Sequence, residues 1–434
     1  MNIAVIGMGK IGLPLAVQYA KKGNSVTGVD INSRTVALIN QGLEPFPGEA
    51  HLNEYLTDVV SKEMLRATLD YSEAINHADV IVVVVPLFVN GKAEPDFVEM
   101  DKATALIGSN IKKGALICFE TTLPIGTTRN RFVPSLERNS GLKVGINFNV
   151  VFSPERVLTG RIFEDLRKYP KIVGGITKTC AEKGVNFYEK VLDFDIRNDL
   201  SKPNGVWELE STESAEFVKL AETTYRDLNI ALANQFAMYA AKIGVNIYSV
   251  IESSNSQNFS HIHQPGISVG GHCIPVYPYF YLNQDKSAKI IQEARNINEG
   301  MPNYFVELLS KLLPNLKNKT ILISGIAYRA GVKEVYNSGI FSLTNLLGKK
   351  GSIVYCEDNL FSASEIHDLN LKTLEIPESE IDIYILHTEN DLNSNLTQRN
   401  FKSDCLVINP KDIFTGIGTD ISVLLYENFV NRKI

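Results

Sequence analysis

The sequence is short of most features that tie a chain to a membrane, a metal cluster or a nucleic acid. No apolar run reaches the about 20 residues that a membrane-spanning helix needs. Cysteine is scarce: five residues, at positions 118, 180, 273, 356 and 405, an odd number with no CxxC pair. That spacing argues against a disulfide framework and against a structural zinc site, so no metal is expected. Neither sign of charge dominates, since 43 Lys+Arg against 49 Asp+Glu leave a net charge of -6 without long like-charge blocks. The broad cationic surface of a sequence-independent nucleic-acid binder is therefore missing, although a local basic pocket for a diphosphate is not excluded. Tandem repeats and low-complexity segments are also lacking. The N-terminus runs straight into a strand and a glycine-rich turn, with no cationic leader. A reduced, cytoplasmic setting without membrane attachment is the expectation.

What is present is an ordinary globular composition, 44% hydrophobic and 21% charged over 434 residues, long enough for two or three domains. Short apolar runs at 2–6 (NIAVI), 25–30, 78–86, 114–122 and 148–155 alternate with helical stretches. Near-continuous apolar strands of this kind predict a parallel sheet buried on both faces. Around 201–207 (SKPNGVW) the pattern breaks into a Pro/Gly linker. A helix is then predicted from about Ser211 to Ile243, with Phe217, Leu220, Ala221, Thr224, Leu228, Ala231 and Leu232 at helical spacing and Gly244 as its stop. A buried spine would justify that length. Residues 253–272 read as a loop, and apolar runs resume at 320–328, 351–358, 381–390 and 405–410. The predicted fold class is α/β, two Rossmann-like doubly wound domains joined by a long central helix. The expected domains are 1–200, 201–312 and 313–434.

Gly7-x-Gly9-x-x-Gly12 follows a strand, opens a helix, and has Asp30 at the end of the next strand. This context makes it a dinucleotide turn: one glycine for the turn, one for backbone approach to a pyrophosphate, one for helix–strand packing. The helix N-terminus would face the phosphates. Asp30 would hold the ribose hydroxyls and repel a 2′-phosphate, favouring NAD over NADP, a preference that Arg34 slightly weakens. Further on, Gly270-Gly271-His272-Cys273 sets a cysteine in a glycine-rich turn beside a histidine. Taken alone, a cysteine is more often an inert small hydrophobe; glycines that leave room for a ligand and a polar flank favour a nucleophile.

The blocks GMGKIGLPLA, ETTLPIGTT, SPERVLTGRIFEDL, KLAETTYRDLNIALANQ, HQPGISVGGHCIPV and GIAYRAGVKE occur in this order. Together they resemble the UDP-glucose/GDP-mannose dehydrogenase family over nearly the whole chain. The wording is most similar to the branch acting on UDP-N-acetylhexosamines. LDFDIRNDLSKPNGVW and VGGHCIPVYP are also similar to a subgroup with members in antibiotic-sugar pathways that use NDP-glucose. The resemblance implies an NAD-dependent four-electron oxidation of a nucleotide sugar at C6, for polysaccharide biosynthesis. In it Cys273 captures the aldehyde as a thiohemiacetal and then a thioester.

It also implies roles for other residues, each with a plainer alternative. Lys219 would stabilise a developing alkoxide, or be a solvated helix lysine. Glu155 would transfer protons or assist thioester hydrolysis, or simply pair with Arg156. Thr122 would touch the nicotinamide side and order water, or serve as a cap or turn residue. Arg156 and Arg226 would contact diphosphate or hexose, or form surface salt bridges. His263 would bind substrate or cap its loop. The remaining substrate set is Val157, Gly270, Tyr328 and Arg329, and the cofactor set is Gly7, Gly9, Lys10, Ile11, Gly12, Asp30, Arg34, Leu87 and Thr122. Five positions depart from the family pattern, the first being Arg329, which replaces a lysine that usually reaches the nucleotide. Thr223 stands where Asn is common, and Tyr277 stands where an Asp usually assists water chemistry. Phe259 and Tyr336 each replace an arginine. UDP-N-acetylmannosamine or UDP-N-acetylglucosamine is the expected substrate, with UDP-glucose or another NDP-glucose as the alternative. A two-electron alcohol dehydrogenase would leave Cys273 without a task, and a silent nucleotide-sugar-binding regulator would be free to lose Lys219, Glu155 or Cys273. A homodimer is expected, its central helices packed across the two-fold.

Overall fold

The computed structural model describes residues 1–388, 399–409 and 424–425, and divides into two compact units. The first takes in Met1–Glu222 and Tyr279–Gln284, the second Thr223–Pro278 and Asp285–Ile434. The predicted α/β architecture is found in both. Among the described residues, no helix is long and apolar enough to cross a membrane.

Ten strands belong to the first unit: β1 (Asn2–Ile6), β2 (Ser25–Val29), β3 (Leu65–Thr68), β4 (Val80–Val83), β5 (Phe88–Val89), β6 (Pro95–Asp96), β7 (Leu116–Phe119), β8 (Asn149–Phe152), β9 (Lys171–Gly175) and β10 (Val206–Leu209). Eight of them form one sheet in the order β10-β9-β8-β7-β4-β1-β2-β3, while β5 and β6 pair as a small antiparallel hairpin. From β3 to β8 every neighbouring pair in the sheet is parallel. Chain order reverses at β1, the topological switch point where doubly wound sheets bind ligands beyond their strand ends. β4, β7 and β8 are buried at every position because helices cover both faces.

The far edge departs from the sequence reading. β9 runs antiparallel to β8, and β10 pairs in parallel with β9, so these two strands point against the other six of the sheet. Val206 and Trp207, read as the end of a Pro/Gly break, are ladder residues of β10. β9 escaped notice because KIVGG opens with a lysine and closes with two glycines, residues that argue against a buried strand. Both glycines are obligatory: a Cβ on Gly174 would run into the Ser211 carbonyl, and one on Gly175 into the Ala181 backbone.

The central helix Thr212–Ile243 matches its predicted span. Its surface does not match a fully buried spine. Leu220 and Ala231 are buried, but Phe217, Tyr225, Leu232, Phe236, Tyr239 and Ile243 are 41–61% exposed.

The second unit carries β11 (Thr320–Ser324), β12 (Ile353–Glu357), β13 (Ile383–Leu386), β14 (Leu406–Ile408) and β15 (Leu424–Leu425), ordered β12-β11-β13-β14-β15 with only the last pair antiparallel. Its core joins Ile321, Ile323 and Ile383 to Ala233 and Ala237 of the central helix and to Phe305 and Leu309 of the helix Lys289–Leu312. Of the expected apolar runs, residues 389–390 and 410 lie outside the described residues.

Gly174→Ala is expected to destabilise the protein by about 1–3 kcal/mol, the usual cost of overpacking against a fixed neighbour. Gly348→Ala, on the exposed face of the helix Gly339–Lys349 with open space around the added methyl, should stabilise by about 0.5–1 kcal/mol. Thermal unfolding of the two variants against wild type checks both signs.

Candidate active site

The glycine turn after β1 has the geometry a dinucleotide requires. Gly7 sits at φ +95°, a left-handed conformation that glycine adopts without strain. A Cβ on Gly12 would strike the Gly7 carbonyl oxygen, whereas one on Gly9 would meet nothing within 4 Å. Gly12 is therefore needed for packing, and Gly9 leaves an open approach for a pyrophosphate. The helix that starts at Gly12 has no side-chain cap and no acid in its first turn, so its N-terminal N–H groups are suited to an anion. Asp30 follows β2. Its Oδ2 accepts from Met8 N at 2.9 Å and its Oδ1 from Asn32 N at 2.8 Å, which fixes the carboxylate at the rim of the turn. Arg34 lies exposed on the next helix, Leu87 and Thr122 are buried beyond β4 and β7, and Lys10 and Ile11 are partly exposed. These residues fit NAD.

Glu155 follows β8 and is buried. It does not pair with Arg156, as the sequence alone allowed. Arg156 forms an ion pair with Glu222 and donates to the Pro170 carbonyl at 3.1 Å. Glu155 is instead bound by the Lys171 ammonium, which also donates to Glu120 Oε2 at 2.9 Å. Glu120 Oε1 accepts from Tyr188 at 2.7 Å and Tyr19 at 3.2 Å. Lys219 is tied into this unit, donating to the Glu155 backbone carbonyl at 2.5 Å. Two turns' worth of helix before Thr223, Glu216 accepts from Gly126 N at 2.5 Å and from Thr128 N and Oγ1 at 2.9 and 2.7 Å. It thereby fastens the ETTLPIGTT loop that carries Thr122. Burial pushes the Glu216 carboxyl up to about 7 against the pull of those donors.

In the second unit Cys273 lies in a turn shaped by glycine. A Cβ on Gly270 would collide with the Tyr328 side chain, and Gly271 adopts φ +94°. Gly271 N donates to the Tyr336 carbonyl at 2.8 Å, and Asn337 Nδ2 donates to the Gly271 carbonyl at 3.1 Å. The Cys273 carbonyl accepts from Tyr277 N at 2.9 Å as the helix Tyr277–Gln284 begins. His272 lies 3.3 Å from Glu334 and stacks on Tyr336 at 4.2 Å between ring centroids. Tyr336, noted in the sequence only as a lost arginine, thus helps build the turn. Burial raises the Tyr328 phenol, with Arg329 opposing and Cys273 and Glu334 adding to the rise. The segment before the turn hangs from the central helix: His263 N donates to Asn229 Oδ1 at 3.0 Å and Gly266 N to Asn234 Oδ1 at 2.9 Å. Burial lowers the His263 imidazole, and the nearby Arg226 adds to that.

The structure thus places Thr122, Glu155, Arg156, Val157 and Lys219 in the first unit. It places Thr223, Arg226, His263, Gly270, Cys273, Tyr328 and Arg329 in the second. Glu120, Lys171, Glu216, Asn229 and Asn234 escaped the sequence reading; each acts through a distant partner, which spacing does not reveal. Among the described residues, no cluster of three or more His, Cys, Asp or Glu is arranged to hold a metal ion.

The two units also build one turn twice. Gly325 after β11 has φ +97° and donates to the Glu357 carbonyl at 2.9 Å, as Gly7 donates to Val29 at 2.8 Å. Asp358 Oδ2 accepts from Ile326 N at 2.7 Å, as Asp30 does from Met8.

Residues 1–192 match the NAD-binding domain of the UDP-glucose/GDP-mannose dehydrogenase family, and residues 213–300 match its central domain. Aligned by sequence, the chain is 37% identical over 352 residues to the UDP-N-acetyl-D-mannosamine dehydrogenase of Pyrococcus horikoshii, covering 80% of this chain and 81% of that one. The solved Pyrococcus horikoshii UDP-D-ManNAc dehydrogenase superposes with a TM-score of 0.85 at 30% identity, over 97% of this chain and all of that one. The UDP-N-acetyl-mannosamine dehydrogenase of Staphylococcus aureus superposes with a TM-score of 0.78 at 30% identity, over 96% and 99%. With its dinucleotide turn, its glycine-held cysteine and both family domains in place, this chain belongs to the UDP-glucose/GDP-mannose dehydrogenase family and is an NAD-dependent nucleotide-sugar dehydrogenase.

Proposed function

We propose that the chain oxidises the C6 alcohol of UDP-N-acetylmannosamine to the carboxylate in two steps, with Cys273 as the covalent nucleophile. The similarity to UDP-N-acetyl-D-mannosamine dehydrogenases supports the sugar. The observation that carries the mechanism is the contrast among the cysteines. Cys118, Cys180, Cys356 and Cys405 are buried, and only Cys273 is partly exposed. Burial raises the Cys356 and Cys405 thiols to about 12 and the Cys118 thiol higher still, so these three are held as inert thiols.

NAD, held by Gly7, Gly9, Gly12 and Asp30 with Lys10, Ile11, Arg34, Leu87 and Thr122 around it, supplies a hydride acceptor when bound. Cys273 captures the C6 aldehyde as a thiohemiacetal, so the aldehyde is not released, and carries the carbon on to a thioester that water cleaves. Lys219 provides the positive charge for the developing oxyanion. Glu155 accepts the proton from the attacking water. Thr122 and Thr223 orient that water. Tyr277 takes no part as a base, since a phenol, with a reference pKa of about 10, is a poor proton acceptor at neutral pH. Arg156 acts through Glu222 as a strut for its loop, and Arg226, His263, Tyr328 and Arg329 serve the substrate, with Val157 and Gly270 shaping the space around it. A UDP-glucose reading keeps one specific support: Phe259, 95% exposed, presents no cation to an acetamido group.

We assign the chain to the cytoplasm, where its unpaired cysteines stay reduced. We also propose a homodimer formed through the exposed stripe of the central helix, Phe217, Tyr225, Leu232, Phe236, Tyr239 and Ile243, a set of large apolar side chains on one face.

Wild type is expected to release two NADH per sugar, with UDP-N-acetylmannosamine the best of a panel of UDP- and TDP-sugars. One NADH per sugar, or none with retained binding, sinks the four-electron reading. Cys273→Ser should abolish uronate formation while NAD and nucleotide-sugar binding persist; unchanged turnover removes Cys273 from the mechanism. For the dimer, light scattering should give twice the chain mass for wild type and the single mass for Phe236→Glu/Tyr239→Lys; a monomeric wild type overturns it.

A further inference from the structure

Lys171 occupies a place that a parallel sheet would deny it. The residues that open parallel strands lie at the end of the sheet away from the ligand crevice. β9 is reversed, with Phe152 opposite Gly174. Counting three residues on from Phe152 and three back from Gly174 sets Lys171 opposite Glu155. The first residue of β9 therefore lies among the carboxyl ends of β7 and β8, where Glu120 and Glu155 stand.

The ammonium is 5% exposed, Glu120 is fully buried and Glu155 is nearly so. Other charged and titratable groups face this pair from every packed element: Tyr19 from the helix Gly12–Lys21, Tyr188 from the helix Lys178–Val191, Cys118 from β7, and Lys219 from the central helix. Buried carboxylates need a cation within reach in a low-dielectric interior, and Lys171 is bound to both of these.

We propose that Lys171 is a positioning residue that keeps Glu155 a carboxylate ready to accept a proton. The electrostatics run the same way. Burial, with Glu155 adding to it, raises Glu120. For Glu155 burial pushes upward, but the charge of Lys171, the hydrogen bond from Lys171 and the charge of Lys219 outweigh it and leave the carboxyl below its ordinary value. Tyr19 and Tyr188, both raised well above the ordinary phenol value by burial, stay protonated and donate to Glu120. When the attacking water loses its proton, Glu155 receives it as the new C–O bond forms, and Cys273 departs as thiolate when the C–S bond breaks.

This inference rests on Glu155 being the proton acceptor, and Glu155→Gln tests that alone: unchanged activity removes the base and leaves nothing for Lys171 to position. With the base established, Lys171→Met decides the inference through the pH profile of kcat/KM. Loss of the cation raises the Glu155 carboxyl, so the acid limb should move to higher pH by about 1–3 units, with activity recovering toward alkaline pH. Lys171→Arg, which keeps the charge, should return the limb toward its wild-type position. A folded Lys171→Met enzyme with an unmoved acid limb overturns the proposal, because a merely structural lysine would lower stability without shifting that limb. Should Lys171→Met fail to fold, the double variant K171M/E120Q, which removes one cation together with one acid, is read in the same way. Infrared spectroscopy supplies a readout independent of turnover. A carboxylate stretch that Glu155→Gln removes should be present in wild type at neutral pH and give way to a carboxylic-acid carbonyl band in Lys171→Met; a Glu155 acid band already present in wild type also overturns it.

Discussion

A polar side chain buried on a helix costs free energy unless it is hydrogen-bonded, and Thr212–Ile243 carries several. Glu216, Asp227 and Asn234 are fully buried and Asn229 nearly so. Their partners are mostly loops or other helices. Glu216 takes the backbone at Gly126 and Thr128, Asn229 and Asn234 take that at His263 and Gly266, and Asp227 takes Arg295 and Asn298. In each unit the helix thereby sets where irregular backbone runs, and irregular backbone carries Thr122 in the first and Cys273 in the second. Loops are ordinarily the variable part of a fold. Here they are pinned by side chains of one regular element, so that chemistry borne on loops inherits the rigidity of a helix.

Much of the fold could be read from local pattern. Alternating apolar runs announced both parallel sheets, and Gly7, Gly9, Gly12 and Asp30 announced the dinucleotide turn, because strand burial and turn sterics leave their mark within a few residues. The glycine-shaped turn around Cys273 was legible for the same reason, as was the span of the central helix. The reversed edge was not. Lys171 drew no notice, because lysine is almost never fully buried without a partner and its partners lie 51 and 16 residues away. The same blindness made Arg156 the obvious mate for Glu155 and hid Glu222. Short-range spacing reports which backbone a residue sits on, whereas charge pairing in a core is decided by strand order and direction. The exposed stripe on the central helix is a related case, since periodicity cannot say which of two apolar faces is covered within one chain.

The buried ions of the first unit show how a domain built for packing accommodates charge. Glu120, Glu155 and Lys171 lie where the hydrophobic interior gives way to the ends of β7 and β8, and two tyrosines from neighbouring helices on one face of the sheet close the cluster. A fully buried ion set of this kind is a poor source of stability compared with a well-packed apolar core. Its retention fits a role in fixing protonation rather than in holding the sheet together.

The turn that appears in both units separates two jobs that one motif usually performs together. After β11 the chain keeps the left-handed glycine and the aspartate that receives the turn's N–H, but Ala327 stands where Gly9 does in the first unit, and it is buried. No helix opens there; the next one begins only at Gly339. The second crevice has therefore kept the hinge and lost the anion seat. A methyl group and a displaced helix start are enough to make two look-alike sheets non-equivalent to a dinucleotide.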